Sequence, residues 1–188
     1  MRKLKLQMQM SIDGYVARPN GEGDWMTWQP DDQLMAFIHS MIDSSDTILM
    51  GRKMADGFVS HWEHALKNNP DTPFAKKMVD TPKIVFTKTL EQSNWNNTTL
   101  AKGNLAEEIA HLKKQNGKDI IVYGGAGFVS SLIKEGLIDE YHLIVNPVAI
   151  GEGMTIFKSL DKMRLFSPIA LKLYPGGKTV LSYKPKND

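Results

Sequence analysis

The sequence predicts a single α/β domain built on a mixed, mainly parallel central sheet with helices on its flanks. Apolar stretches of strand length alternate with amphipathic stretches over the first two thirds of the chain, an order typical of parallel β-α-β units. The last third carries strand patterns alone, which predicts added antiparallel strands. With 188 residues, 41% of them hydrophobic, we expect residues 1–188 to form one domain.

Composition argues against several classes of partner. The 23 basic and 21 acidic side chains leave a net charge of only +2, so no overall charge favours nucleic acid or an anionic membrane. No apolar run reaches the roughly 18 residues of a membrane helix, and the start lacks the features of a signal peptide. The chain has no cysteine, which excludes disulfides. We expect a cytoplasmic protein whose partner is a small molecule.

The first half of the chain predicts three strands and two helices. Residues 3–10 alternate as a strand does, and the glycine-rich stretch 11–25 that follows is a loop long enough to be functional. A helix is predicted from Pro30 through about Ile42, with acids in its first turn. The elements that follow are a strand at 46–51, a helix from Arg52, a polar proline-containing connection at 61–82 and a strand at 83–87.

The second half predicts two more helices and the remaining strands. Asn104 starts a helix through Asn116, with Glu107 at its third position in the capping-box arrangement. A strand at 119–125 leads through glycines into a helix at 128–135. The other predicted strands are an edge strand at 98–104, a strand at 140–150 and a hairpin that joins 163–175 to 178–185.

Two strand-to-helix junctions carry residues suited to a phosphate group. Ligands of parallel sheets bind outside the carboxyl ends of the strands. At the first junction, Gly51 permits a close backbone approach, and Arg52 and Lys53 place two cations at a helix N-terminus. At the second, residues 124–127 present bare amides at another helix start. Taken alone, the glycine turn is explained equally well as an ordinary connection, and a Gly-Arg-Lys sequence at a strand end is more often a solvated loop than a phosphate site. Together they predict a dinucleotide held from two sides.

A standard Rossmann domain is disfavoured at the second junction. Phe128 and Val129 follow Gly127, so the G-x-G-x-x-G fingerprint is not matched, and no nearby acid takes the ribose role. The glycines therefore point to another kind of nucleotide site or to a plain turn.

Several motifs, in their order, resemble the dihydrofolate-reductase-like family, in particular the C-terminal reductase domain of the bacterial riboflavin biosynthesis protein RibD. They are "MSIDGYVA", "DTILMGRKM", "KIVFTK" and the run 120–157, which is the most specific. The resemblance spans about residues 3–185. It implies a single α/β domain, NADPH as hydride donor, a homodimer and no metal.

The resemblance also implies an NADPH site along the carboxyl ends of the strands. Its phosphate end corresponds to Gly51, Arg52 and Lys53, with the cations facing the 2′-phosphate. Its pyrophosphate turn corresponds to Gly124, Gly125, Ala126, Gly127 and Phe128. In this turn we expect glycine to be needed at Gly125, both for close approach of the phosphate and for the turn conformation.

Two loops complete the site that the resemblance implies. Thr87 and Lys88 match the family's loop on the adenosine side. The early loop, residues 11–25 with Val16 near its middle, corresponds to the segment that covers the nicotinamide and the substrate. We expect this loop to close over them. Met54 departs from the threonine common after Gly-Arg-Lys, which removes one hydroxyl from the phosphate site.

A carboxylate at the start of the first helix is the candidate catalytic group. Asp32 resembles the acid of folate reductases that supports protonation of the substrate. Alternatively, Asp32 only complements the helix dipole, and Asp31 competes for the same role. Trp25 and Trp28 are either core anchors or a stacking platform for a planar substrate.

The histidines of the polar connection do not predict a metal site. His61 and His64 lie three positions apart with Glu63 between them, but no third ligand is evident, so we interpret them as surface residues.

These observations predict an NADPH-dependent reductase that transfers hydride to a C=N or C=O carbon of a small substrate. The substrate is expected to be a pterin- or aminopyrimidine-like heterocycle or a small carbonyl compound. One alternative is a nicotinamide-nucleotide-binding module without turnover. The other is an enzyme that binds a phosphosugar or nucleotide and has no redox step.

Overall fold

One eight-stranded sheet forms the centre of the computed structural model, which describes residues 1–26 and 31–186. The strands are β1 (Leu4–Ser11), β2 (Ser45–Gly51), β3 (Lys83–Phe86), β4 (Thr98–Ala101), β5 (Asp119–Gly124), β6 (Glu140–Asn146), β7 (Phe166–Leu173) and β8 (Thr179–Pro185). Their spatial order is β4-β3-β2-β5-β1-β6-β8-β7. The first six are parallel, and β8 is antiparallel to both β6 and β7. The predicted mixed α/β sheet with antiparallel C-terminal strands is confirmed.

Helices cover both faces of this sheet. They are α1 (Asp32–Asp43), α2 (Arg52–Asn68), α3 (Pro73–Asp80), α4 (Leu105–Lys114) and α5 (Ala126–Lys134). Alternate strand residues face opposite sides: Ile48 and Ile121 pack in one core cluster with residues of α1, α2 and α3, whereas Leu49 and Val122 pack in another with α4 and α5. Both faces of the sheet are therefore buried at β2 and β5.

The connection predicted at 61–82 is largely helical, and that prediction was wrong. α2 continues through Asn68, and α3 follows from Pro73. Apolar residues at Phe58, Val59 and Trp62 have helical spacing and pack in the core, which explains the continuation of α2. Proline at the first position of α3 has the dihedral angle that a helix start requires.

The helix at Asn104 has a different capping arrangement from the one predicted. The Asn104 side chain accepts hydrogen bonds from the amides of Ala106 and Glu107, as expected of an N-cap. The returning carboxylate belongs to Glu108, which accepts from the Gly103 amide at 3.2 Å. The helix ends at Lys114 instead of Asn116.

Two predictions near the start of α1 concern residues outside the described ones. Pro30, the predicted helix start, and Trp28 both lie in the gap 27–30, and the first described helical residue is Asp32.

Among the described residues, no helix is long and apolar enough to cross a membrane.

Candidate functional site

The sheet order brings the two glycine junctions together at one edge. β2 and β5 are neighbours, and Met50 pairs with Gly124. A Cβ atom added to Gly51 would lie 3.8 Å from the backbone nitrogen of Gly125. Gly51 also pairs with Phe86, so the end of β3 adjoins the same place. The predicted phosphate, pyrophosphate and adenosine segments therefore follow neighbouring strands.

The helices that begin at these junctions have free amides in their first turns. Gly51 caps α2 and Gly125 caps α5, and neither helix start has a side chain hydrogen-bonded to its free amides. Side chains cap α1 (Asp31) and α4 (Asn104), whereas α3 also lacks a side-chain cap. Because uncapped first-turn amides attract anions, both starts suit a phosphate group.

Cations reinforce this preference. Arg52 and Lys53 are exposed in the first turn of α2, where no acid accompanies them. Positive charge at a helix N-terminus opposes the dipole, so an anion bound there would remove an unfavourable arrangement. Neither side chain forms an ion pair with a described residue. Lys88 is exposed just beyond β3.

Two of the predicted residues have side chains committed to the fold. The Phe128 ring stacks on Phe86 with centroids 4.8 Å apart, and a Cβ on Gly51 would come within 2.7 Å of the Phe128 Cβ. Packing alone therefore requires glycine at position 51. The buried Thr87 hydroxyl oxygen accepts hydrogen bonds from the amides of Thr89 and Leu90, both at 3.2 Å. Phe128 can serve an anion through its backbone amide, and Thr87 shapes the turn that carries Lys88.

The glycine turn differs from the expectation in two respects. α5 begins at Ala126 instead of Phe128, so Ala126, Gly127 and Phe128 supply its first free amides. Gly124 has a positive φ of 148° and is joined to Gly125 by a cis peptide bond. Gly125 itself has an ordinary φ of −76°. The conformational need for glycine therefore lies at Gly124, not at Gly125.

Met54 packs against this turn. A Cβ on Gly124 would come within 2.7 Å of the Met54 sulfur, and one on Gly125 would lie 3.8 Å from the Met54 Cβ. The methionine thus occupies the space beside the two glycines.

The early loop is anchored to the segment that follows β6. The amides of Ile12 and Val16 donate to the carbonyl oxygens of Val148 and Met154, each at 2.8 Å. The Asp13 carboxylate accepts hydrogen bonds from the Ser11 hydroxyl (2.5 Å) and from the amides of Ile150 (3.0 Å) and Gly151 (2.7 Å). These bonds, the one from Ser11 above all, lower the pKa of Asp13.

This anchoring assigns different roles to the loop residues. The Val16 side chain is buried in the core, whereas Ile12 is 66% exposed. Ile12 is therefore the apolar group that this part of the loop offers to a ligand.

The two acids at the start of α1 are in different environments. One Asp31 carboxylate oxygen accepts from the amides of Gln33 (3.1 Å) and Leu34 (3.0 Å), and the other accepts from the Gly176 amide at 2.9 Å. The hydrogen bond from Gly176, followed by that from Leu34, lowers the pKa of Asp31. Asp32 is exposed beside it. Asp31 thus joins α1 to the β7–β8 turn and leaves Asp32 as the candidate proton donor.

The remaining candidates are explained by the fold. Trp25 is 6% exposed, which matches its interpretation as a core anchor. His61 and His64 are exposed on α2, and Glu63 accepts a hydrogen bond from Asn96 at 3.0 Å. The described part of the chain contains no group of three or more potential metal-ligating side chains.

Sequence reasoning did not single out two buried polar residues at the same edge of the sheet. Asn146 ends β6 and is fully buried, and Lys178 in the β7–β8 turn is 4% exposed. Burial lowers the pKa of Lys178, and the negative charge of Asp31 partly offsets this lowering. The signal for Asn146 was a polar residue that ends an apolar strand directly before a proline; we identify no local signal for Lys178.

The fold is that of an α/β protein with a mixed sheet. Its candidate ligand site lies at the carboxyl ends of the parallel strands, where α2 and α5 begin without side-chain caps. The family model described as the RibD C-terminal domain matches residues 2–173, and the chain belongs to that family. Membership in a family of reductase domains implies an oxidoreductase.

The curated relatives include two proteins of similar length and one longer one. YyaP of Bacillus subtilis, an uncharacterized protein, is 32% identical over 97% of this chain and 94% of its own length. YwjB of the same organism, also uncharacterized, is 29% identical over 87% of this chain and 89% of its own length. RibD of Corynebacterium ammoniagenes is 23% identical over 80% of this chain but only 44% of its own length.

Solved structures share the fold. A protein from Shewanella sp. PV-4 named for riboflavin biosynthesis superposes with a TM-score of 0.77 at 24% identity, and the match covers both chains completely. A deaminase/5-amino-6-(5-phosphoribosylamino)uracil reductase of Thermotoga maritima gives a TM-score of 0.67 at 17% identity, over 98% of this chain and 57% of that one.

Proposed function

We propose that this protein is an NADPH-dependent reductase that transfers hydride to a C=N or C=O carbon of a small heterocycle in the cytoplasm. The substrate is pterin- or aminopyrimidine-like, as in the 5-amino-6-(5-phosphoribosylamino)uracil reductase named among the structural relatives. The observation that carries the proposal is that two helix N-termini without side-chain caps meet at the ends of β2 and β5, beside Arg52 and Lys53, which form no ion pair with a described residue.

The residues present fit a phosphorylated dinucleotide. The free amides of 126–128 suit a pyrophosphate, and no described atom lies within 4 Å of a Cβ added to Gly127, so that backbone is open. Arg52, Lys53 and Lys88 are the cations available to the 2′-phosphate. NADPH, when bound, supplies a hydride from nicotinamide C4.

The chain's own groups orient the reactants and handle the proton. The anchored early loop, with exposed Ile12, excludes water from one side of the site. Asp32 at the start of α1 supplies a proton or binds an N–H edge of the substrate. A binding module without turnover would share the nucleotide contacts, but it would not consume NADPH with any acceptor.

The first test is the preference for NADPH over NADH. Charge-assisted contacts to the 2′-phosphate are each worth about 1.5–3 kcal/mol, so Arg52→Ala should weaken NADPH about tenfold or more and leave NADH nearly unchanged. Fluorescence titration of both nucleotides measures this. Lys67→Ala, an exposed change in the last turn of α2, is the matched control and should alter neither affinity. Equal affinities of the unmodified protein for NADPH and NADH would refute the assignment.

We further propose that the protein is a homodimer that uses β7. This edge strand exposes Ile169 (46%), Leu171 (62%) and Leu173 (70%), and its outer backbone groups face no strand of the described sheet.

Light scattering at micromolar concentration is expected to give about twice the chain mass of 21.1 kDa. Leu171→Asp should shift the population towards the monomer, whereas Ala170→Asp, an exposed change on the other face of the strand, should have a smaller effect. A mass near 21.1 kDa for the unmodified protein would argue against the dimer.

A further inference from the structure

Asn146 has an arrangement that the fold alone does not explain. It is the last residue of β6, pairs with Ser11 at the end of β1 and is fully buried. Its amide nitrogen donates to Gln9 Oε1 at 2.8 Å and lies 3.3 Å from the carbonyl oxygens of Met10 and Ile144. Its own oxygen, Oδ1, has no hydrogen-bond partner among the described residues.

The orientation of this amide follows from its neighbours. The three atoms around the nitrogen are all hydrogen-bond acceptors, so a flipped amide would place oxygen against oxygen. Oδ1 must therefore face away from them. Burial of an acceptor without a donor is unfavourable, and such atoms are rare in native proteins unless a water or a ligand completes them.

The location of Asn146 favours a ligand. The register of β1 with β5 ends at Leu6 and Val122, whereas β1 continues with β6 to Ser11, so the sheet opens between β5 and β1 at the carboxyl edge. Asn146 lies at the same end of the sheet, on the strand beyond β1, and pairs with Ser11, the residue at which the anchored early loop begins.

The face on which Asn146 lies is the one that α1 covers. Ile144, one side-chain step back along the strand on the same face, packs against Leu34 and Ile38 of α1. Asn146 therefore lies at the end of α1 where Asp32 begins the helix, in the region where we place the substrate.

We propose that Asn146 is a specificity-determining residue whose Oδ1 accepts a hydrogen bond from a ring N–H of the substrate. The proposal rests on the proposed function and deepens it. An unpaired acceptor selects ligands with a donor, so lactam and cyclic amide rings are favoured over aldehydes and quinones, which have no N–H. The carbonyl oxygens of Met10 and Ile144, together with Gln9 Oε1, hold the Asn146 amide in the orientation that presents Oδ1, and the two carbonyl oxygens remain when Gln9 is replaced.

The test compares uracil with 1,3-dimethyluracil, which lacks both ring N–H donors. Calorimetric titrations are run with and without saturating NADP⁺. The unmodified protein is expected to bind uracil about tenfold more tightly than the dimethyl compound. Asn146→Leu should abolish this preference by weakening uracil alone. Gln9→Leu removes the 2.8 Å contact but retains Oδ1, so it should keep the preference.

A purely structural role of Asn146 would affect both probes equally, and that result would overturn the inference. So would an unmodified protein that binds the two probes equally or binds neither. Thermal unfolding checks each variant, and Asn146→Ala removes the same atom if the leucine variant does not fold. NADPH titration of the same samples separates the two proposals. A protein that binds NADPH without probe preference refutes only the role of Asn146, and one with the preference but no NADPH binding refutes only the reductase.

Discussion

Asp32→Asn is expected to lower the rate of hydride transfer about 100-fold while the affinity for NADPH stays unchanged. Asparagine has the shape of aspartate but cannot supply a proton or hold an N–H edge with negative charge. Asp32 is exposed at the first position of α1, at the carboxyl edge of the sheet. Stopped-flow measurement of NADPH oxidation with dihydrofolate, aminopyrimidine ribosides and quinone or aldehyde acceptors gives the rate.

Asp31→Asn is the matched control because its carboxylate is already committed. The carboxylate accepts hydrogen bonds from α1 and from Gly176. Asp31→Asn should therefore lower the thermal unfolding midpoint, and it should lower the rate of hydride transfer less than Asp32→Asn does. The pKa of Asp31 is lowered from its usual 3.8, so its stabilising contribution is present above that value and is lost as the pH falls below it.

Two outcomes would contradict this account of Asp32. Unaltered turnover of Asp32→Asn with every active acceptor would eliminate the carboxylate mechanism. The absence of any active acceptor for the unmodified protein would favour the binding module that retains the nucleotide without turnover.

Gly125→Val is expected to abolish NADPH binding while the fold survives. The φ of −76° at this position suits any residue, and an added Cβ would lie 3.8 Å from the Met54 Cβ, an ordinary contact. The branched side chain would, however, lie over the first free amides of α5, where we place the pyrophosphate. Nucleotide titration together with thermal unfolding separates loss of binding from loss of fold.

Two further glycine-to-valine changes are controls. Gly124→Val should destabilise the protein, since φ is 148° there and the added Cβ would come within 2.7 Å of the Met54 sulfur. Gly57→Val adds its Cβ where nothing lies within 4 Å and should retain binding. Unchanged NADPH affinity in Gly125→Val would show that Gly125 is part of an ordinary turn and has no role in nucleotide binding.

Local patterns were sufficient to predict most elements of the fold. Strand alternation and the glycines at 51 and 124–127 located the central strands and the helices that follow them. The extension of α2 was missed because Trp62 stands in a polar stretch, although its spacing from Phe58 and Val59 is helical. The start of α3 was missed because the prolines of 61–82 favour a connection, whereas Pro73 is the first helical residue.

The candidate site was predictable only where its residues are local in sequence. The adjacency of Gly51 and Gly125 depends on the pairing of β2 with β5, which no local pattern encodes. The same holds for the bond from Gly176 to Asp31. The buried acceptor of Asn146 arises from contacts with β1, so its missing partner is visible only after folding.

A crystal structure with NADP⁺ bound tests the central claim most directly. We predict the pyrophosphate at the amides of 126–128 and the 2′-phosphate among Arg52, Lys53 and Lys88. The nicotinamide should lie beneath the early loop, near Ile12. A dinucleotide bound elsewhere, or crystals that take up none at saturating concentration, would contradict the assignment of this edge of the sheet as the nucleotide site.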